Sequence, residues 1–304
     1  MLLVARVVRF AGLSAVRVAS LAGLLFGLVL ARGGAPVLGT ALAATAALLY
    51  VALERRRPDG GFWLFYVAAF LVFAALRQVA DGLGAPVRAG YVIALDASLP
   101  GAEIPTVWLQ RLAFDPGRIA AWDVAAVAVH TSYFVVPHVV AFLLWRQGSE
   151  LFRRYCLALL GAVYAGLLTC MLLPTTPPWL AAQEGRLPRV WHVVPAVWNH
   201  ADESVYTHGE AAVGPNAVAA MPSLHMAGAV LVALAIWRAL PWARPLAIAY
   251  PAAMALTLVY TGEHYVADVA AGAALAGAAW TWAPALSRRF AALRPTPAPA
   301  LERR

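Results

Sequence analysis

Hydrophobic residues in this chain fall in long unbroken runs separated by short polar breaks, not at the spacing of a half-buried helix or the alternation of a strand. Runs at 18–31, 37–53, 62–79, 119–145, 155–173, 222–240, 246–260 and 265–286 are each read as a membrane-crossing helix. Lipid offers no partner to backbone N–H and C=O groups, so a spanning segment must satisfy them internally. The pattern therefore predicts an all-α integral membrane protein of about eight transmembrane helices, with no room for a separate soluble domain. Three segments follow: 1–60 with two N-terminal membrane helices, 61–286 with the remaining six, and 287–304 as a proline-containing tail expected to be disordered.

Composition agrees, with 62% hydrophobic and 12% charged residues. The net charge of +8 comes entirely from arginine, since lysine is absent. Arginines concentrate in alternate breaks: Arg6, Arg9 and Arg17; Arg55, Arg56 and Arg57; Arg146, Arg153 and Arg154; Arg238 and Arg244; and the tail from Arg288 onward. The positive-inside rule places these breaks and both termini in the cytoplasm, and the breaks at 80–118 and 174–221 outside. A multi-pass protein of the plasma membrane is expected. No basic stripe with interleaved aromatics lies outside the runs, so nucleic acid is excluded as a partner and the bilayer itself is the expected one. The first run lacks a convincing small-residue cleavage site and is read as a retained helix. Cys156 and Cys170 lie on one helix roughly 20 Å apart, too far to bridge.

Polar residues at the ends of apolar runs are costly there and therefore candidates for function. In "MPSLH", Pro222 suits a first helical turn, with Ser223 and His225 beside it, and a helix N-terminus offers free N–H groups and a positive dipole end to a phosphate. In "TGEHYVADVAAG", His264 and Asp268 are four residues apart and share a helix face, so the carboxylate can orient the imidazole. A single run separates the two motifs, so both helices begin at the same face of the membrane. Two imidazoles, a carboxylate and two helix N-termini at one interface form a plausible phosphoryl-transfer centre.

These motifs carry a resemblance. "PSLH" and "TGEHYVADVAAG" resemble the second and third signature motifs of the type 2 phosphatidic acid phosphatase (PAP2) superfamily. "PTTPPW" at 174–179 looks like its inositolphosphotransferase branch, the one containing inositol phosphorylceramide synthase, as do, less specifically, "EIPTVWLQ" at 103–110 and "HTSYFVVPH" at 130–138. The resemblance implies a PAP2-like six-helix core behind two extra N-terminal helices. It implies that His264 attacks phosphorus to form a phosphohistidine, that Asp268 holds its ring, and that His225 protonates the leaving oxygen. No cofactor and no metal are required. The implied substrates are a phospholipid or lipid phosphate and a polar alcohol acceptor or water. The leading expectation is a phosphotransferase moving a phosphoryl head group from lipid to alcohol on the outer face; a lipid-phosphate phosphatase is the alternative, and a non-catalytic transporter or scaffold a third reading.

The chain also departs from the family. The lysine-and-arginine motif that opens family phosphatases has no counterpart, and Thr257 and Leu258 stand where Ser-Arg precedes the nucleophile. A phosphodiester carries about one negative charge where a monoester carries nearly two, which favours head-group transfer. Arg186, Arg189, Arg111 and Arg118 are the outer-loop candidates to restore charge. Ser223, Thr175, Thr176, Pro178, Trp179, Arg186, Arg189 and His130 are the expected substrate-binding residues.

Other polar residues have blander readings beside functional ones. Asp123 and His130, seven residues apart, are expected to pair; Pro137 is expected to kink its helix next to His138. His192, His200 and His208 recur near Asp202, Glu203 and Glu210, but not at metal-binding spacing. Their loop is read as a lid, with Trp179, Trp191 and Trp198 at the interface. Glu263 is read mainly as an acid favoured by the helix dipole, and Thr261 as a cap of that helix.

Overall fold

The computed structural model describes residues 59–80, 84–101, 103–148, 150–201 and 217–292. The two N-terminal runs, Asp202, Glu203, His208, Glu210 and the tail beyond Ala292 lie outside the described residues. What is described is helical: α1 (Gly60–Val79), α2 (Gly90–Ala97), α3 (Pro105–Ala113), α4 (Ala121–Ser132), α5 (Val136–Arg146), α6 (Glu150–Leu172), α7 (Pro178–Gln183), α8 (Val193–Ala201), α9 (Leu224–Ala239), α10 (Arg244–Tyr260) and α11 (Val266–Ala292).

Each of the six later apolar runs forms helix. Among the described residues, α6, α11 and α10 with its leading turn are long and apolar enough to cross a membrane, and α4 with α5 makes a fourth span bent by 50°. The residues of α1 and α9 form shorter apolar helices. Of the eight expected spans, two lie outside the described residues, and among the described residues three to four helices qualify by length and composition. The bend falls at 133–135, so Pro137 sits in the first turn of α5 rather than inside a continuous helix. The breaks at 80–118 and 174–221, expected as loops, hold the short helices α2, α3, α7 and α8.

Helix α9 is the centre of the bundle, packed by α5, α6, α10 and α11. Its sixteen residues span about 24 Å, less than the roughly 30 Å hydrocarbon core of a bilayer. The non-helical residues 217–223 lead into the helix, and backbone of that kind beside an apolar bundle is tolerated where protein surrounds it. Thr175, Thr176 and Ser223 are accordingly fully buried. Bridges pair Arg88 with Thr175 and Thr175 with Ala219, so three extended segments satisfy one another's backbone beside the mouth of α9.

Helix α11 is rich in alanine and glycine, which lets it approach α6 and α9 closely. A Cβ on Gly272 would lie 2.2 Å from the Ser223 carbonyl oxygen. The main core joins α1, α5, α6, α9 and α11 through residues such as Phe152, Tyr155, Leu159, Leu231 and Trp280. Large apolar residues also point outward, among them Leu172, Ile248, Leu256 and Trp282, as a lipid-facing surface requires.

The helix directions separate two ends. Arg146, Arg154, Arg238 and Arg244 lie at the ends of α5, α6, α9 and α10 remote from His225 and His264. There the guanidinium groups of Arg154 and Arg238 sit 4.3 and 5.8 Å from the ring of Trp280.

Candidate active site

The site is built where α9 and α11 begin and α10 ends. Ser223 is the N-cap of α9, its Oγ accepting the Met226 N–H at 3.2 Å. Pro222 therefore stands just outside the helix, not within its first turn, and His225 is the second helical residue. The Ser223 N–H donates to the Asp268 carbonyl at 3.1 Å, tying the mouth of α9 to α11.

His264 precedes α11, and its N–H donates to the Leu258 carbonyl at 3.1 Å. Its ring Nδ1 lies 2.9 Å from the Ala220 carbonyl oxygen and 3.6 Å from Asp268 Oδ2. A carbonyl only accepts, so Nδ1 carries the proton and Nε2 keeps its lone pair. The tautomer expected from the histidine–aspartate pair is thus held first by a backbone oxygen. Asp268 Oδ2 instead accepts the Tyr265 N–H at 2.9 Å, while Oδ1 is buried without a hydrogen-bond partner.

The second positive helix end envisaged for phosphate is already occupied. Asp96, on α2 and buried, accepts the Val266 and Ala267 N–H groups at 2.9 and 3.0 Å. Burial raises its pKa, and those two bonds oppose the rise. With Tyr265 N–H on Asp268, the first N–H groups of α11 face carboxylates, which leaves α9 as the helix mouth for an anion. No sequence signal marked Asp96, because its partners lie about 170 residues away.

His225 meets His264 edge to face, the ring centroids 5.8 Å apart. On its other side the His130 ring stacks at 4.5 Å and 25°, and Tyr133 packs at 4.4 Å. The bend after Ser132 brings His130 to this place. It does not pair with Asp123, which accepts the Ala120 N–H at 2.7 Å and the Tyr260 hydroxyl. His225 Nε2, His130 Nδ1 and Thr176 Oγ1 are buried without hydrogen-bond partners.

The remaining expected residues divide. Thr175 Oγ1 bonds the Leu173 carbonyl at 2.9 Å and Tyr91 hydroxyl at 2.7 Å, a fastening role. Pro178 opens α7, and the Trp179 N–H donates to the Gly262 carbonyl. The Trp179 ring lies 4.2 Å from the His192 ring and parallel to it, and His192 Nε2 is 2.8 Å from Glu263 Oε1. Glu263 thus pairs across the fold instead of serving the helix dipole, and Thr261 bonds back to the Thr257 carbonyl rather than capping α11. His138 pairs with the Tyr66 hydroxyl at 2.8 Å. Of the outer-loop arginines, Arg186 pairs with Glu184 at the surface, Arg111 with Glu103, and Arg189 lies over Trp191; Arg118 is exposed. Arg77 stands in the last turn of α1.

The described part of the segment expected as a lid is fastened at Trp191. Gln110 donates to the Trp191 and Tyr260 carbonyls at 2.9 and 2.8 Å and accepts the Trp191 N–H at 2.7 Å. Gly262 has φ +80, and a Cβ there would lie 2.9 Å from the Trp191 carbonyl oxygen, so only glycine permits this approach. Among the described residues no group of three or more His, Cys, Asp or Glu is arranged to hold a metal ion.

A family model described as the PAP2 superfamily matches residues 104–282, more than half of the chain and all three imidazoles of the cluster. No curated protein and no solved structure matches it.

Proposed function

The chain belongs to the PAP2 superfamily, whose members act on phosphoesters as phosphatases or phosphotransferases, and we propose that it is a membrane phosphotransferase moving a phosphoryl head group from a lipid donor to an alcohol. The observation that carries the reading is the His264 tautomer: Nδ1–H held by the Ala220 carbonyl leaves Nε2 as a nucleophile beside the His225 ring.

His264 Nε2 attacks phosphorus, the bond from phosphorus to the leaving oxygen breaks, and protonated His225 gives its proton to that oxygen. Asp268, 3.6 Å from Nδ1, steadies the positive charge on the ring. An acceptor hydroxyl then attacks the phosphohistidine, its proton passes to His225, and the P–N bond breaks, restoring His264. The phosphoryl oxygens lie at the mouth of α9, where Ser223 caps the Met226 N–H and the earlier N–H groups face outward. Thr176 Oγ1 and His130 Nδ1 are the buried polar atoms available to them.

Among the described residues Arg111 pairs with Glu103, Arg186 with Glu184, and Arg189 lies over Trp191, so these outer-loop arginines are engaged elsewhere, which supports a singly charged diester substrate. The arginine-rich end lies opposite the histidines, which supports an outward-facing site in the plasma membrane, both termini inside. Residues 61–286 form the catalytic membrane domain on this reading.

The test gives purified protein and its His264→Ala variant phospholipids, lipid phosphates and polyol acceptors, and follows inorganic phosphate and lipid products by mass spectrometry. Release of the lipid alcohol together with a phosphorylated acceptor, both requiring acceptor and His264, is the expected result. Phosphate release independent of acceptor would make the protein a lipid-phosphate phosphatase. Equal products from both proteins would overturn the catalytic reading.

A further inference from the structure

The turn that presents His264 carries a second polar group that the transfer mechanism does not use. Glu263, the residue before the nucleophile, holds His192 at 2.8 Å, and both side chains keep about a fifth of their surface exposed, 20% and 17%. The parallel Trp179 ring covers the imidazole. Glu263 is joined directly to the nucleophile in the chain, and the carbonyl oxygens of Thr261 and Gly262 in the same turn hold the Val193 and Trp179 N–H groups, which sets this pair beside the reaction centre.

This pair is one of several fastenings of its loop. The Trp179 N–H on the Gly262 carbonyl, the Val193 N–H on the Thr261 carbonyl and the three bonds of Gln110 already fasten residues 179–193 to the turn. A partly buried carboxylate beside a group that must meet phosphate is, on its own, unfavourable for an anionic donor. Paired with His192 it is not a lone charge, and its second oxygen makes no hydrogen bond among the described residues. A carboxylate oxygen only accepts, so its natural partner is a hydroxyl or ammonium donor, not phosphate.

We propose that Glu263, held by His192 and walled by Trp179, is the hydroxyl-binding subsite for a neutral polyhydroxy acceptor. This rests on the phosphotransferase reading above. Glu263 accepts a hydrogen bond from an acceptor hydroxyl other than the attacking one, and thereby orients the attacking oxygen toward the phosphorus on His264. Trp179, stacked on His192, supplies the flat wall against which the carbon skeleton lies. Binding there also displaces water from the second step, so the subsite sets how much phosphohistidine goes to alcohol and how much to hydrolysis.

The experiment compares wild type with Glu263→Gln on a short-chain phospholipid donor, using whichever of glycerol, a cyclitol and a hexose the wild type accepts best. Acceptor KM and the ratio of transfer to hydrolysis are measured. The expected result is an acceptor KM about tenfold higher and a ratio about tenfold lower, the loss of one charge-assisted hydrogen bond, with partial recovery in Glu263→Asp. An unchanged KM and ratio would overturn the subsite while leaving the phosphotransferase reading intact. So would a proportional fall of transfer and hydrolysis at constant KM, which marks a structural role. If the Gln variant does not accumulate, Glu263→Asp is read against wild type by the same two quantities. A wild type that transfers to none of the polyols would overturn the phosphotransferase reading, and the subsite with it.

Discussion

Replacing Gly272 by alanine tests the link between helix packing and chemistry most directly. The added Cβ would lie 2.2 Å from the Ser223 carbonyl oxygen and 3.2 Å from Met226 Cβ, where ordinary contact begins at 3.4 Å. The first of these neighbours is backbone, so no side chain can rotate away, and α11 must part from the mouth of α9 by about 1.2 Å. Ser223 is joined to α11 by its N–H on the Asp268 carbonyl and caps the helix that bears His225. His264, by contrast, is held by Ala220 and Leu258. The displacement therefore falls between the two imidazoles. Overpacking of this size costs about 1–3 kcal/mol of stability, and a misplacement near 1 Å costs on the order of 10²-fold in rate. Gly277, one and a half turns further along α11, has nothing within 4 Å of its own added Cβ. Gly277→Ala should leave turnover unchanged and cost no stability, since alanine loses less backbone freedom on folding. Turnover of a lipid donor and thermal unfolding in detergent give both quantities. Equal turnover in the two variants would refute the argument that close packing at Gly272 sets the His225–His264 geometry.

Three further outcomes follow from the site. Asp268→Asn should lower turnover by about 10²-fold, short of the roughly 10⁴-fold loss seen where a carboxylate is the sole partner fixing the tautomer, because the Ala220 carbonyl already holds Nδ1; single-turnover kinetics checks it. Gln110→Ala leaves the Trp191 N–H and two carbonyls unpaired and should cost roughly 2–4 kcal/mol, read as a lower melting temperature and faster proteolysis within 186–193. Burial raises the Glu263 pKa, but the hydrogen bond and charge of His192 outweigh it and hold the carboxyl below its ordinary 4.5. Its contribution to stability is thus fully present above pH 4.5 and is lost as pH falls through the lower folded value. Unfolding temperature against pH should be flatter on the acid side in Glu263→Gln than in wild type.

The apolar helices 60–79, 150–172, 224–239, 244–260 and 266–292 were legible because a candidate span must be apolar along its whole length, a local property that composition alone displays. The histidines of "PSLH" and "GEHY" were legible for the complementary reason: an ionisable group beside such a run has no cheap structural use. Helix periodicity placed Asp268 on the face of His264. It did not reveal that the Ala220 carbonyl is the nearer partner, because that oxygen comes from a segment 44 residues away.

Tertiary structure alone decided the rest of the site. Asp96 takes the N–H groups of α11, and Asp123 bonds Tyr260 rather than His130. His130 stacks on His225 because the span bends after Ser132. Glu263 is held by His192, and Trp191 of the expected lid is stitched to the turn by Gln110. Each of these is a contact between residues far apart in the chain, and hydrogen-bond partners at such separation are chosen by how the helices pack, not by local spacing. The sequence by itself determined which runs are apolar enough to form long helices and which few polar groups had to be accounted for. Packing decided which of those groups share one centre, because only the close approach of α9, α10 and α11 brings their ends together.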